Sequence, residues 1–268
     1  MGAAAMPRIA GYRFIQTIAR SANSEVYVAH SEELGHQVAI KVLRTNTALN
    51  ANDEERFERE RELLIRIKHP AIVDVYDWGN GEGFSYIATE YFPSGSLELR
   101  IRNLMTVKDS IDIFLQIAGA LVAIHSAGLC HRDLKPANVM MRPDGRVVLI
   151  DFGLAKHVDG AAMLTNAGEV RGSPFYISPE QAAGEPVDQR SDLYSLGVML
   201  YEMLTGRRPF TGSTVIAIIE AHRSDPIPVL PPELSRFQWL IDGLLAKDPN
   251  ERFPSASAAL ARLAKMKV

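Results

Sequence analysis

The chain has a single cysteine, Cys130, among 268 residues. An internal disulfide is therefore excluded, and the composition suits a reducing compartment. Its neighbour His131 does not make it a reactive thiol, because adjacency in sequence does not create dyad geometry; Cys130 reads as a small core residue. Charge of one sign is also missing. The formal net charge is −3, so nothing in the bulk electrostatics attracts nucleic acid or a membrane surface. No apolar run reaches the ~20 residues that a membrane-spanning helix needs. The start, Met1 to Met6, is small and apolar but has no basic flank, so it does not read as a signal peptide. None of the seven histidines has zinc-ligand spacing. Internal repeats and low-complexity tracts are absent. What remains is an ordinary globular composition, 47% hydrophobic and 23% charged, with core for one large or two small domains.

Polar chemistry is densest in His131-Arg132-Asp133-Leu134-Lys135-Pro136-Ala137-Asn138, with Asp151-Phe152-Gly153 following after two short apolar runs. The stretch holds a carboxylate, an ammonium and an amide on a turn stiffened by proline. In phosphoryl transfer these groups have natural tasks. Asp133 would accept the proton of an incoming hydroxyl, and Lys135 would neutralise charge on the transferred group. Asn138 and Asp151 would hold magnesium through hard oxygen ligands. Val139-Met140 and Val147 to Ile150, joined at a Pro143-Asp144-Gly145 turn, place Asn138 and Asp151 side by side. These two motifs, in this order, resemble the signature of the protein kinases.

The first part of the chain reads as strands. Tyr12 to Ile18 and Glu25 to Ala29 alternate, and Val38-Ala39-Ile40-Lys41 is a strand carrying a lysine among apolar neighbours. By resemblance Lys41 is the phosphate-binding lysine. Asn52 to Lys68 has Phe57, Leu63, Leu64 and Ile67 at helical spacing, and Glu60 best fits the glutamate that orients Lys41. Ile72 to Tyr76 and Phe84 to Thr89 are the next strands. Gly79, Gly81 and Gly83 form a hairpin turn at Asn80-Gly81 rather than a phosphate loop, since no lysine-bearing helix follows. Glu90-Tyr91-Phe92 resembles the kinase hinge, with Thr89 as a small gatekeeper. Ser96, after Pro93-Ser94-Gly95, is a helix cap candidate. The nucleotide pocket implied by the resemblance is Ile18, Ser21, Ser24, Val26, Ala39, Lys41, Thr89, Glu90, Phe92, Ser96 and Met140.

One departure from the family is plain. Its phosphate turn has the pattern G-x-G-x-x-G-x-V, and this chain has Ala19-Arg20-Ser21-Ala22-Asn23-Ser24-Glu25-Val26. If that turn needs left-handed backbone at Ala19, Ser21 or Ser24, the cost is roughly 1–2 kcal/mol and ATP binding weakens. The Ser21 and Ser24 hydroxyls could offset this by donating to phosphate.

The second part reads as helices: Asp109 to Ser126, an all-round apolar and hence buried helix from Ser191 to Leu204, then Thr214 to His222, Arg236 to Leu245 and Ser255 to Lys265. Asp151 to Glu180 has little periodicity and closes in Gly172-Ser173-Pro174-Phe175-Tyr176-Ile177-Ser178-Pro179-Glu180, resembling the kinase activation segment. There Ser173 would bond the catalytic aspartate and lysine, and Glu180 would pair with Arg252. Asp192 would anchor the catalytic loop. Thr165 is the phosphorylation site expected to dock on Arg132, Lys156 and Arg56.

The resemblance, from about Tyr12 to Leu263, is to the bacterial Hanks-type (eukaryotic-like) serine/threonine kinases. It implies an α+β, two-lobed fold. Residues 8–92 would form a five-stranded antiparallel sheet with one main helix and end at the hinge, 90–92. Residues 93–268 would form a mainly helical lobe. ATP and magnesium, or manganese, are the implied cofactors. Protein Ser/Thr hydroxyls are the substrate, in the cytoplasm, with no nucleic acid or membrane contact by this segment and a homodimer for autophosphorylation. Two alternatives stand beside it. One is a pseudokinase or scaffold with weak nucleotide binding, motivated by the missing glycines. The other is a small-molecule phosphotransferase of related fold.

Overall fold

The structure is a computed structural model and describes residues 7–21, 24–44, 62, 65–103, 105–151 and 174–265. The chain divides into two compact units. One holds the described residues up to Lys68 together with Ile72–Pro93; the other holds His69–Ala71 and the residues from Ser94 onward.

The first unit is a five-stranded antiparallel sheet in the order β1-β2-β3-β5-β4. The strands are β1 (Tyr12–Arg20), β2 (Ser24–Ser31), β3 (Gln37–Arg44), β4 (Val75–Gly81) and β5 (Phe84–Glu90). The α+β class and the antiparallel five-stranded sheet expected from sequence are both present. Alternation sorts the side chains. Tyr27, Ala29, Val38, Ile40, Val42 and Ala88 lie on one face, all fully buried, with Phe84 beside them. Tyr12 and Tyr86 close the rim of this core, both donating to Asp77 Oδ2 at 2.9 Å. Burial and that carboxylate push the Tyr86 hydroxyl up to about 12.

The glycines of β4 differ from the expected reading. Gly79 and Gly81 are strand residues paired with Tyr86 and Phe84, and the turn is Glu82-Gly83, with Gly83 at φ +76°. A Cβ on Gly79 would meet the Tyr86 ring at 2.9 Å, and one on Gly81 the Phe84 ring at 2.2 Å. These glycines let cross-strand aromatic rings lie on the backbone. Of the expected 52–68 helix, Glu62, Ile65 and Arg66 are helical; Glu60 and the rest up to Arg61 lie outside the described residues, as do Leu63 and Leu64.

The second unit contains α1 (Leu97–Ile101), α2 (Val107–Ser126), β6 (Val139–Met141), β7 (Val147–Leu149), α3 (Pro179–Ala183), α4 (Gln189–Thr205), α5 (Val215–Ser224), α6 (Gln238–Leu245) and α7 (Ala256–Ala264). Thr106 caps α2 by accepting from Asp109 N–H, and Ile113, Ile117, Leu121 and Ile124 form its buried stripe. Most of α4 is buried, including Asp192 in its first turn. Gly197 of α4 allows α6 close in: a Cβ there would meet Leu244 Cβ at 2.6 Å. Ser96 stands at the N-cap position of α1 but makes no side-chain cap bond. It is instead bridged in antiparallel fashion to Met140. His69–Ala71 joins this unit because Ala71 C=O accepts from Leu149 N–H and Pro70 C=O from Arg142.

Candidate active site

The catalytic-loop candidates converge. Pro136–Asn138 forms a single 3₁₀ turn with proline at its start, closed by Asn138 N–H to Lys135 C=O at 2.9 Å. Proline fixes φ there and removes a donor that the first turn could not use. The turn brings three side chains together. Lys135 Nζ donates to Asp133 Oδ2 at 2.8 Å, and Asn138 Nδ2 donates to Asp133 Oδ2 at 3.1 Å and to its C=O at 2.9 Å. Both side-chain donors fall on Oδ2, so Asp133 Oδ1 is engaged by neither of them. The β6–β7 hairpin pairs Val139 with Leu149, and Ile150 N–H donates to Asn138 C=O at 3.0 Å. Asp151 therefore leaves the hairpin next to Asn138. With its amide nitrogen committed to Asp133, Asn138 keeps its oxygen as the metal-ligand candidate.

The loop's backbone is not relaxed. Arg132 and Asp151 have φ +64° and +51°, the left-handed region that a non-glycine side chain disfavours. The loop is held from α4. Asp192 Oδ2 accepts from His131 N–H and Oδ1 from Arg132 N–H, both at 2.8 Å. His125 Nε2, from the end of α2, meets Asp192 Oδ2 at 2.8 Å. A carboxylate only accepts, so the proton lies on His125 Nε2. His131 itself is fully buried; burial pushes its pKa below the ordinary value, against the pull of Asp192, Asp133 and Asp151. Sequence reasoning missed His125, which carries no motif.

Glu180 and Arg252 form a bidentate pair, with both N···O distances 2.7 Å. Ser191 also donates to Glu180, and Arg252 gives further bonds to the carbonyls of Ala246, Arg190 and Lys247. Burial alone would raise the Glu180 pKa; the hydrogen bonds and charge of Arg252, with Ser191, outweigh it and the carboxyl lies below its usual range.

In the first unit the sheet register gathers the pocket candidates. Val26 is opposite Lys41, and Ala39 is opposite Thr89. Directly opposed residues point to one face, so these four share the face away from the Tyr27–Ile40 core. Glu90 ends β5, and Phe92, just after it, is buried. Ile18 lies at an irregularity of β1, skipped between Thr17 and Ala19, and is 48% exposed.

The glycine-free turn closes on itself. Ser21 N–H donates to Ser24 C=O at 2.8 Å, Ser24 N–H to Ser21 Oγ at 3.0 Å, and the two hydroxyl oxygens are 2.8 Å apart. Ala19, Ser21 and Ser24 are not among the residues with positive φ. The condition on which weakened ATP binding was expected, left-handed backbone at one of these three positions, is therefore not met there. Behind the turn, Glu25 takes Arg44 at 2.8 Å, Tyr27 at 2.8 Å and Arg20 at 3.4 Å.

Glu60, Arg56, Lys156, Thr165 and Ser173 lie outside the described residues.

Comparison with known proteins adds the family. A model described as the protein kinase domain matches residues 12–262. The chain is 39% identical over 256 residues to the probable serine/threonine-protein kinase SCO3848 of Streptomyces coelicolor, covering 91% of this chain and 38% of that protein. It is 38% identical over 252 residues to serine/threonine-protein kinase PknA of Mycobacterium tuberculosis, with 91% and 58% covered. Against PknB of the same species it is 38% identical over 258 residues, with 91% and 41% covered. The chain thus spans between 38% and 58% of the length of these relatives.

Proposed function

The chain belongs to the protein kinase family, and on that premise we propose that it is an ATP-dependent serine/threonine protein kinase. Carrying this reading is the cluster of Lys135 Nζ and Asn138 Nδ2 on one oxygen of Asp133, at 2.8 and 3.1 Å. In the proposal Asp133 receives the proton of a Ser or Thr hydroxyl at its carboxylate, and Lys135 balances charge on the group in transit. The donor chemistry of Asn138 and Asp151, two hard oxygens from one hairpin, fits magnesium, or manganese in its place, which when bound neutralises phosphate charge. Lys41, oriented by Glu60, holds phosphate oxygens. By the family resemblance Val26, Ala39, Ile18 and, separately in the second unit, Met140 are assigned to adenine binding, Glu90 and Phe92 to bonding its edge through their backbone, and Thr89 to leaving room behind it. By the same resemblance Ser96 is assigned to nucleotide binding as well, and Ser21 and Ser24 to its phosphates.

We assign residues 8–92 to nucleotide binding and 93–268 to catalysis and substrate. Ser173 is proposed to bond Asp133 and Lys135. Thr165 is proposed as an autophosphorylation site, made in a homodimer, whose phosphate docks on Arg132, Lys156 and Arg56. Among the described residues the buried Arg132 Nε has no hydrogen-bond partner, which supports an incoming anion there. We place the activity in the cytoplasm, where ATP is available. Among the described residues no helix is long and apolar enough to cross a membrane. The pseudokinase reading loses its motive, since the phosphate turn is unstrained at Ala19, Ser21 and Ser24.

The test is incubation with radiolabelled ATP, magnesium and a general protein acceptor. Wild type is expected to label serine or threonine, whereas Lys41→Met and Asp151→Asn should fall close to background. Absence of transfer by wild type with either metal would sink the proposal. Phosphopeptide mapping with Thr165→Ala tests the regulatory part; undiminished activity counts against it.

A further inference from the structure

Arg132 directly precedes Asp133 and is left-handed at φ +64° without being glycine. A residue keeps such a conformation only where its surroundings over-determine it. Asp192 supplies one constraint, on the N–H. The other acts on the carbonyl: Gln181 Nε2 donates to Arg132 C=O at 3.0 Å. Gln181 is 4% exposed, and its orientation follows from polarity. Oε1 accepts from Ser178 N–H at 3.2 Å, a group that only donates, while Nε2 meets a carbonyl, which only accepts. Gln181 N–H in turn donates to Ser178 Oγ at 3.3 Å, closing a capping box at the start of α3. One carboxamide is thus shared between a helix cap and the peptide that aims Asp133.

We propose that Gln181 is a positioning residue for phosphoryl transfer, locking the left-handed Arg132 from its carbonyl side and so setting the direction of Asp133. A second consequence is a mechanical link. In sequence, α3 closes the segment that begins at Asp151, so a displacement of its cap reaches the catalytic loop through a single side chain. The catalytic part of this inference rests on the kinase reading; the structural part does not.

Three variants of the full chain separate the roles. Gln181→Glu keeps the acceptor for Ser178 N–H but sets oxygen against the Arg132 carbonyl. Gln181→Met removes both polar contacts without burying a charge. Ser178→Ala breaks the cap but leaves Nε2 for Arg132. Both Gln181 variants should lose at least about tenfold in kcat with KM for ATP within about twofold, as expected of misplaced catalytic groups. Ser178→Ala should keep kcat within about threefold although its Tm falls. Hydrogen exchange of the peptide covering 131–135 needs no activity; it should quicken about tenfold in the Gln181 variants and not in Ser178→Ala. Wild-type kcat and exchange in Gln181→Met would overturn the proposal. So would Ser178→Ala falling as far as Gln181→Met, because the cap alone would then matter. If wild type transfers no phosphoryl group, the kinase reading fails and the exchange comparison still decides the role of Gln181.

Discussion

The turn joining β1 to β2 and the loop before β6 are both assigned to handling phosphate, yet they are held in different ways. The loop keeps its family motif and a disfavoured backbone, with Arg132 left-handed. Its shape is imposed from outside, by Asp192 on α4 and Gln181 on α3. The turn has lost its family's glycines, has ordinary backbone at Ala19, Ser21 and Ser24, and is closed by the Ser21–Ser24 hydroxyls of its own exposed residues. Strain needs buried scaffolding to persist. A turn without strain can be secured locally, and its sequence is then freer to drift from the motif. In this chain, changes to the scaffold should cost stability and turnover together, whereas changes to the turn should touch ATP binding alone.

The largest expected effect is at Arg252. Its side chain is fully buried, and Arg252→Met would strand the carboxylate of Glu180, itself 4% exposed. Removing one partner of such a pair costs about 3–5 kcal/mol. A denaturant titration checks this, and a loss below about 1 kcal/mol would mean that α3 is not held by the pair.

The scaffold should also be sensitive to acid where the turn, which lacks titratable side chains at Ser21 and Ser24, is not. His222 is buried against Tyr194, Phe210 and Lys247. Burial, and then the Lys247 charge, lowers its pKa to about 4. Between the ordinary value near 6.5 and that value, the unfolded chain binds the proton and the folded one does not, so stability falls as the pH drops through this window. The shift corresponds to about 3 kcal/mol. Stability measured from pH 7 to pH 4 should show this slope, and His222→Gln should flatten it. An unchanged slope in the variant assigns the acid response elsewhere.

A smaller effect is expected from Asp192→Asn. It keeps one carbonyl acceptor but cannot take both loop N–H groups and His125 as before, a loss of about 1–3 kcal/mol. Turnover should fall with stability; a stable variant of normal kcat would break the claim that α4 aims the loop. The least effect should come from Ser21→Ala with Ser24→Ala. Breaking the hydroxyl pair should raise KM for ATP by about threefold or less, under 1 kcal/mol, with kcat and Tm unchanged. A large fall in kcat would show that the turn, too, positions the reacting groups.

Much of this was legible in the sequence, and the physical reasons for the rest are specific. The alternation of β2, β3 and β5 carried the strand assignments, and with register it placed Val26, Ala39, Lys41 and Thr89 on one face. The catalytic loop could be read residue by residue because its functional groups are close in sequence. The β4 glycines were misread because their use depends on the cross-strand partners Tyr86 and Phe84, which no local pattern names. His125 and Gln181 were missed because their partners are 67 and 49 residues away. Half of the Gln181 role was nevertheless visible: Ser178-Pro179-Glu180-Gln181 has the spacing of a capping box. Its second bond depends on where the fold brings Arg132. The strain considered for Ala19, Ser21 or Ser24 was inferred from a missing motif, and none of the three has the left-handed backbone it required.

In the proposed reaction Asp133, held by its loop, takes the proton of the hydroxyl that receives the phosphoryl group. Single-turnover transfer from ATP by wild type and Asp133→Asn, with Tm measured on both, tests it most directly. The variant's rate is expected to be lower by roughly 10²–10⁴-fold at unchanged Tm. Equal rates in the two proteins would contradict it.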